Sequence, residues 1–207
     1  MDTFKNYLFE QKMQLIEKLI TFDGQAYPKF GNVVIMAGGA GSGKGFVLNN
    51  LIGIQGHKFD VDELKTLALK STKIKNRIKA EYDLDISNFN LSNPDHVSKL
   101  HELISDEIRL TDRKKAATYA SVVSAHPERK PNLLFDVTLS SFRKFDQITR
   151  TVKDLGYNER NIHLVWVVND IEVAKVKNKD PKRGRVVPTE ILVNTHRGVS
   201  QTMQDVL

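Results

Sequence analysis

Short, continuous apolar runs alternate along this chain with longer stretches of three-to-four periodicity. Val33-Val34-Ile35-Met36, Leu133-Leu134-Phe135-Asp136-Val137 and Ile162–Val168 have the form of strands buried on both faces. His57–Val61 reads as a further short strand. Helical periodicity covers residues 3–22, where Phe9, Met13, Ile16 and Ile20 recur and Asp23-Gly24 ends the pattern. It returns from about Gly43 to Leu51, from Asp62 to Tyr82, and from Pro94 towards Ala125. A further stripe of Phe142, Phe145, Ile148, Val152 and Leu155 ends at Gly156, a suitable C-terminal cap. Ile171–Lys177 predicts a shorter helix, and Pro188-Thr189-Glu190 opens a last one. Residues 83–94 are rich in Asn, Ser and Asp and predict a loop, and residues 178–187 predict a polar, basic one. Strands alternating with helices imply an α/β fold, a parallel sheet with helices on both faces. The expected organisation is one domain over residues 1–207 with a helical extension over 1–28. The last helical pattern still runs at Leu207, so a fifth strand is expected beyond it.

Composition narrows the class. The 207 residues are 40% hydrophobic and 27% charged, ordinary for a chain that buries a core. No apolar run approaches the roughly 18–20 residues of a membrane span, which argues against a membrane partner. Met1-Asp2-Thr3-Phe4-Lys5 lacks a basic-then-apolar signal layout. The chain has no cysteine, which excludes disulfide and thiol chemistry and points to a reducing, cytoplasmic setting. A formal charge of +6 and a pI near 9.4 favour phosphate-bearing partners, whether nucleotides or nucleic acid.

The first apolar run leads into "AGGAGSGKGFV", and a helix follows. That context is the one required by a phosphate-binding loop of the form G-x-x-x-x-G-K-[ST]. Gly38 and Gly43 take the glycine positions and Lys44 the lysine position. Residues Gly38, Gly39, Ala40, Gly41, Ser42, Gly43, Lys44, Gly45 and Phe46 are therefore the candidate ATP-binding set, in a P-loop NTPase-type sheet. Glycines let several N–H groups turn inward, and the helix start adds partial positive charge. The position of the magnesium-binding hydroxyl is Gly45. Ser42 lies inside the loop and suits the loop better than metal ligation. Magnesium is then held by other groups and water, or the site binds nucleotide without turnover.

Other candidates surround that loop. "NLLFDVT" places Asp136 at a strand end, where an acid holds a magnesium-bound water or a substrate group. Asp60, Asp62 and Glu63 follow the second strand, on the rim that parallel strands share with the loop. A carboxylate there can take the proton of an acceptor hydroxyl, and Asp62 is also a suitable helix N-cap. Lys179, Lys182, Arg183 and Arg185 form a candidate lid ending at Pro188. Arginines from such a segment stabilise the charge of a transferring phosphoryl group. His196 and Arg197 on the last helix read as surface or packing residues, and Trp166 as core. The remaining histidines lack metal-ligand spacing.

Together "GGAGSGKG", "FDVDELK", "NLLFDVTLSS" and "RGRVVPTEILVNTHRGV" resemble the zeta-toxin-like branch of P-loop kinases, with polynucleotide kinases as neighbours. The resemblance covers about residues 30–200. It implies ATP with Mg2+ as cofactors, Lys44 as the loop lysine and Asp62 as general base. It also implies Asp136 and Thr138 at the substrate and magnesium side, where zeta toxins usually carry glutamate, and Arg185 as the arginine before the lid proline. An earlier lid arginine is missing, with Lys175 in its region. The implied activity is transfer of the γ-phosphate of ATP to a hydroxyl of a nucleotide, sugar nucleotide or other small acceptor. Zeta toxins resemble kinases of UDP-N-acetylglucosamine, but no pocket for that substrate is legible here. The basic stretch Lys70–Lys79 leaves a 5′-hydroxyl polynucleotide acceptor open, and Gly45 leaves a binding module open.

Overall fold

The computed structural model describes residues 29–180 and 186–206. The expected helix over 3–22 and the arginines Arg183 and Arg185 lie outside these residues. Strands β1 (Val33–Ala37), β2 (His57–Phe59), β3 (Leu133–Asp136) and β4 (Ile162–Trp166) form one sheet in the order β2-β3-β1-β4. All three pairings are parallel, with Val33 opposite both Leu133 and Ile162, and Phe59 opposite Phe135. β1 is fully buried along its five residues, as its unbroken apolar run requires. After β1 the chain supplies β2 and β3 on one side and β4 on the other. The order therefore reverses at the C-terminal end of β1, where open parallel sheets place their ligand crevice.

Side-chain alternation splits the strands between two faces. Val33, Ile35 and Ala37 join Phe59 and Phe135 under Val122 of α5 (Leu110–Ser124), Val152 of α6 (Phe142–Asp154) and Val199 and Met203 of α8 (Thr189–Val206). Val34, Met36 and Leu134 pack on Leu48 and Ile52. Those two belong to α1, which begins at Lys44–Phe46 and continues as wider π-type turns over Val47–Ile52. Both faces are thus covered by helices, as the sequence pattern implies.

A second apolar core lies apart from the sheet. Leu64 and Ala68 of α2 (Val61–Lys70), Ile78 of α3 (Thr72–Tyr82) and Leu100 of α4 (Pro94–Glu102) meet Ile86, Leu103, Ile104 and Ile108. The loop over 83–94 is present, yet it contributes Ile86, fully buried, to this core.

Several boundaries differ from expectation. The single helix expected over 62–82 is two, broken at Ser71, whose backbone is extended (φ −89°, ψ 112°). Its hydroxyl accepts the Ile74 N–H and caps α3, because serine competes well for helix-start amides. The helix expected from Pro94 to Ala125 is interrupted at Arg109, whose φ is +53°. β2 ends at Phe59 rather than Val61, since Asp60 turns away to cap α2. Trp166, expected in the core, is 39% exposed, because β4 is an edge strand of the described sheet.

Candidate functional site

The strand ends and the glycine loop meet on one rim. β1 delivers the chain to Gly38–Gly43, and Gly43, with φ +101°, becomes the N-cap of α1. Gly41 has φ +80°, a conformation that costs side-chain-bearing residues. The Lys44 ammonium donates to the carbonyls of Gly38 (2.7 Å) and Gly39 (3.2 Å), which keeps the cation at the loop. Ser42 is buried, and its Oγ has no hydrogen-bond partner among the described residues. A Cβ on Gly38 would fall 2.6 Å from that oxygen, so the serine packs under the loop, as its position implied. Phe46 is 63% exposed on the first turn of α1.

Two helices grip the loop. A Cβ on Gly41 would stand 2.7 Å from the carbonyl oxygen of Ala174 in α7 (Ile171–Asn178). On the other side, the Ala40 N–H donates to Thr195 Oγ1 (3.1 Å), and His196 Nε2 lies 2.9 Å from the Ala40 carbonyl oxygen. The His196 ring covers Gly39 so closely that an added Cβ would lie 2.1 Å from it. His196, expected as a surface or general packing residue, is thus a brace of the phosphate loop. A signal was available: Gly198 interrupts the helical pattern two residues later. A Cβ there would meet the Ser140 carbonyl oxygen at 2.8 Å, so α8 is drawn close to the rim.

The carboxylates stand beside the loop. Phe59 and Phe135 are paired in register, so Asp60 and Asp136 lie next to each other at adjacent strand ends. Both side chains are 14% exposed. Asp60, not Asp62, is the N-cap of α2; its Oδ1 accepts the N–H groups of Asp62 (2.9 Å) and Glu63 (3.4 Å). Asp62 falls in the first turn, 39% exposed, with Oδ1 3.2 Å from Lys65 Nζ. Lys65 is buried and its pKa is lowered by that burial. Burial pushes the Asp136 carboxyl above the usual carboxylate range; Lys44 draws it down and Asp60 raises it again. The Lys44 contribution places the loop cation within electrostatic reach of Asp136. Thr138 enters through its backbone, its carbonyl accepting the Gly38 N–H at 3.3 Å.

Sequence reasoning missed Lys58. Its ammonium stands 2.9 Å from Asp60 Oδ2 and 3.8 Å from Asp136 Oδ2. Burial opposes the ammonium, yet Asp60, Asp136 and Glu63 outweigh it and raise the Lys58 pKa. The signal was the strand alternation, which puts residues 58 and 60 on one face. Lys175, considered for the missing lid arginine, pairs instead with Glu172 at 2.7 Å. At the foot of the candidate lid, the Asn178 side chain accepts the Val187 N–H (3.0 Å) and donates to its carbonyl (2.6 Å).

The residues suit a phosphate group: a glycine loop in left-handed turns, a helix start and a lysine. They suit magnesium less well. Gly45 offers no side-chain oxygen, and Asp136 already has the Lys58 ammonium 3.8 Å away. Among the described residues, no cluster of three His, Asp or Glu side chains could hold a metal ion. No helix of those residues is long and apolar enough to cross a membrane.

Among solved structures, the chain is similar to one in the structure of the Pnkp1/Rnl/Hen1 RNA repair complex. Identity is 16% and the TM-score 0.48, with 86% of this chain and 47% of that one covered. The chain thus spans about half the length of that relative. No curated protein matches it. The family model described as Zeta toxin matches residues 20–207, nearly the whole length over which the loop, the strand-end acids and α8 are arranged. The chain belongs to the zeta toxin family.

Proposed function

We propose that this protein is a P-loop kinase that moves the γ-phosphate of ATP to a hydroxyl of a small acceptor, a nucleotide or sugar nucleotide. The observation that carries the reading is the meeting of Lys44, Asp136 and the start of α2 on one rim. Lys44 and the loop amides hold the β- and γ-phosphates. Phe46, exposed on the first turn of α1, would be available to a bound nucleotide. Asp62 accepts the acceptor's hydroxyl proton as that oxygen bonds to the γ-phosphorus, and the bond to the departing ADP breaks. Asp62 suits this role better than Asp60, whose two oxygens are engaged by α2 amides and Lys58. Thr138, Asp60 and Asp136 form the acceptor side, and Asp136 is the carboxylate assigned to magnesium. Magnesium arriving with ATP would supply charge neutralisation, and the Lys58 ammonium beside Asp136 opposes its ligation there. Arg183 and Arg185, outside the described residues, are the arginines assigned to the transferring group, since guanidinium groups hold phosphoryl oxygens.

A second reading, nucleotide binding without turnover, rests on Gly45. A polynucleotide acceptor has less support. Two cations of α3 are committed locally, Arg77 to Glu81 (2.7 Å) and Lys79 to Asp85 (3.7 Å). The test is γ-labelled ATP with a panel of nucleotides, sugar nucleotides and 5′-hydroxyl oligonucleotides. Label on a small acceptor is expected. Label on oligonucleotides alone replaces the acceptor class. ATP binding with no label moved and no ATP lost in any mixture supports the binding module.

A further inference from the structure

We propose that Lys58 is a resident cation of this site. Its ammonium neutralises the neighbouring carboxylates of Asp60 and Asp136 and supplies part of the positive charge that a loop hydroxyl with its divalent ion would otherwise bring. The consequence for turnover rests on the phosphotransferase reading; the charge arrangement does not.

Three observations lead to this assignment. The loop position that would carry the hydroxyl is Gly45, and among the described residues no atom outside its own helix and chain neighbours stands within 4 Å of where its Cβ would be. Next, Asp60 and Asp136 lie side by side at parallel strand ends, each 14% exposed. Two partly buried carboxylates so placed repel unless a cation joins them. Finally, the joining cation is built into the strand. Lys58 lies two residues before Asp60, whose backbone is still extended just past the end of β2, and Nζ reaches Asp60 at 2.9 Å and Asp136 at 3.8 Å. The other oxygen of Asp60 accepts α2 amides, which fixes the carboxylate under the ammonium. Asp136 thereby faces the Lys58 ammonium. A divalent ion approaching Asp136 meets the Lys58 ammonium, and at such a distance like charges cost appreciable free energy even in a wet site.

The nucleotide-free protein should therefore bind divalent ions weakly, with Lys58 as the reason. Mn2+ titration by calorimetry and electron paramagnetic resonance, without nucleotide, reads this directly. Lys58→Met keeps the apolar stem and removes the charge, and should tighten Mn2+ binding by about tenfold or more. Lys58→Arg keeps the charge and should remain weak. Gly45→Ser adds a hydroxyl in open space. Alone it should tighten Mn2+ by less than about threefold, and in Lys58→Met it should add more than that. In a second assay, wild-type affinity for ATP should change by less than about threefold when EDTA replaces magnesium, whereas Lys58→Met should lose at least about tenfold.

Mn2+ affinity unchanged in a folded Lys58→Met protein overturns the proposal, as does equal tightening by Lys58→Arg. Should Lys58→Met fail to fold, Lys58→Gln and Gly45→Ser decide it. Strong Mn2+ binding by Gly45→Ser alone contradicts a site closed by Lys58. Because these titrations require no turnover, failure of phosphoryl transfer with tightened metal binding rejects the kinase reading and leaves the role of Lys58 standing.

Discussion

The rim around the glycine loop and the helical core over residues 61–108 are built on opposite principles. The rim gathers groups from distant parts of the chain: Lys44, Lys58, Asp60, Asp136, Thr195 and His196. They are polar and half-buried, joined by ion pairs among Lys58, Asp60 and Asp136 and by hydrogen-bond contacts of Thr195 and His196 with Ala40. The helical core joins Leu64, Ile78, Ile86, Leu100 and Ile104 through apolar contact between near neighbours in sequence. The two regions share one helix. The first turn of α2 carries Asp62 at the rim, while Leu64 and Ala68 further along fasten the helix into the apolar core. Burial in one region thus sets the direction of a carboxylate in the other. Changes at the rim should alter chemistry with little loss of fold, and changes in the helical core should do the reverse.

The largest expected effect is at the loop. Lys44→Ala should lower phosphoryl transfer by roughly a hundredfold to a thousandfold, with an unchanged circular dichroism spectrum. A comparable loss of fold would mean that the loop lysine holds structure rather than phosphate. Next are the two aspartates of α2. Asp62→Asn should lower kcat by about a hundredfold or more and leave the melting temperature near wild type. Asp60→Ala removes the helix cap and should cost about 1 kcal/mol in denaturant unfolding. If Asp60→Asn, which can still cap, lowers kcat more than Asp62→Asn, the base assignment moves to Asp60.

Braces act more gently. His196→Ala opens space beside Gly39 and Ala40, and should weaken ATP binding by about three- to tenfold while kcat changes less. His196→Gln, which keeps a donor, should recover part of the loss. The smallest effect tests the boundary itself. Ser71→Ala should cost about 1 kcal/mol of stability without altering KM for ATP. A changed KM would show that the α2–α3 break tunes the rim.

Asp136 gives the comparison a pH axis. Its folded-state pKa is raised, by burial first, so its contribution to stability is fully present below the unfolded carboxylate value and is lost as pH rises through the folded value. Ionised Asp136 therefore burdens the fold at neutral pH. Asp136→Asn should raise the melting temperature at pH 7 relative to wild type, with the advantage shrinking in acid, while lowering transfer activity. A lower melting temperature at neutral pH would show that its partners Lys58 and Lys44 outweigh its burial.

The sequence made some of this legible for a physical reason. A buried parallel strand must be apolar on both faces, so β1 and β3 stand out, and a phosphate loop requires glycines at fixed spacing. Asp136 was legible because a strand end must be polar where it leaves the core. The break at Ser71 was not, since Ile74 and Ile78 keep the helical period of Leu64 and Ala68 across it. Lys58 and His196 were hidden for another reason. Their roles depend on which strand lies beside which and on how close α8 approaches the loop, contacts that join Lys58 to Asp136 and His196 to Ala40 from far apart in the chain.

The measurement that bears most directly on the central claim is phosphorus NMR of ATP mixed with the intact protein, magnesium and small hydroxyl acceptors, run beside Lys44→Ala and Asp62→Asn. The expected result is loss of the γ-phosphate signal with growth of ADP and a new phosphomonoester signal, in wild type alone. Saturable ATP binding with an unchanged spectrum in every mixture would contradict a phosphotransferase.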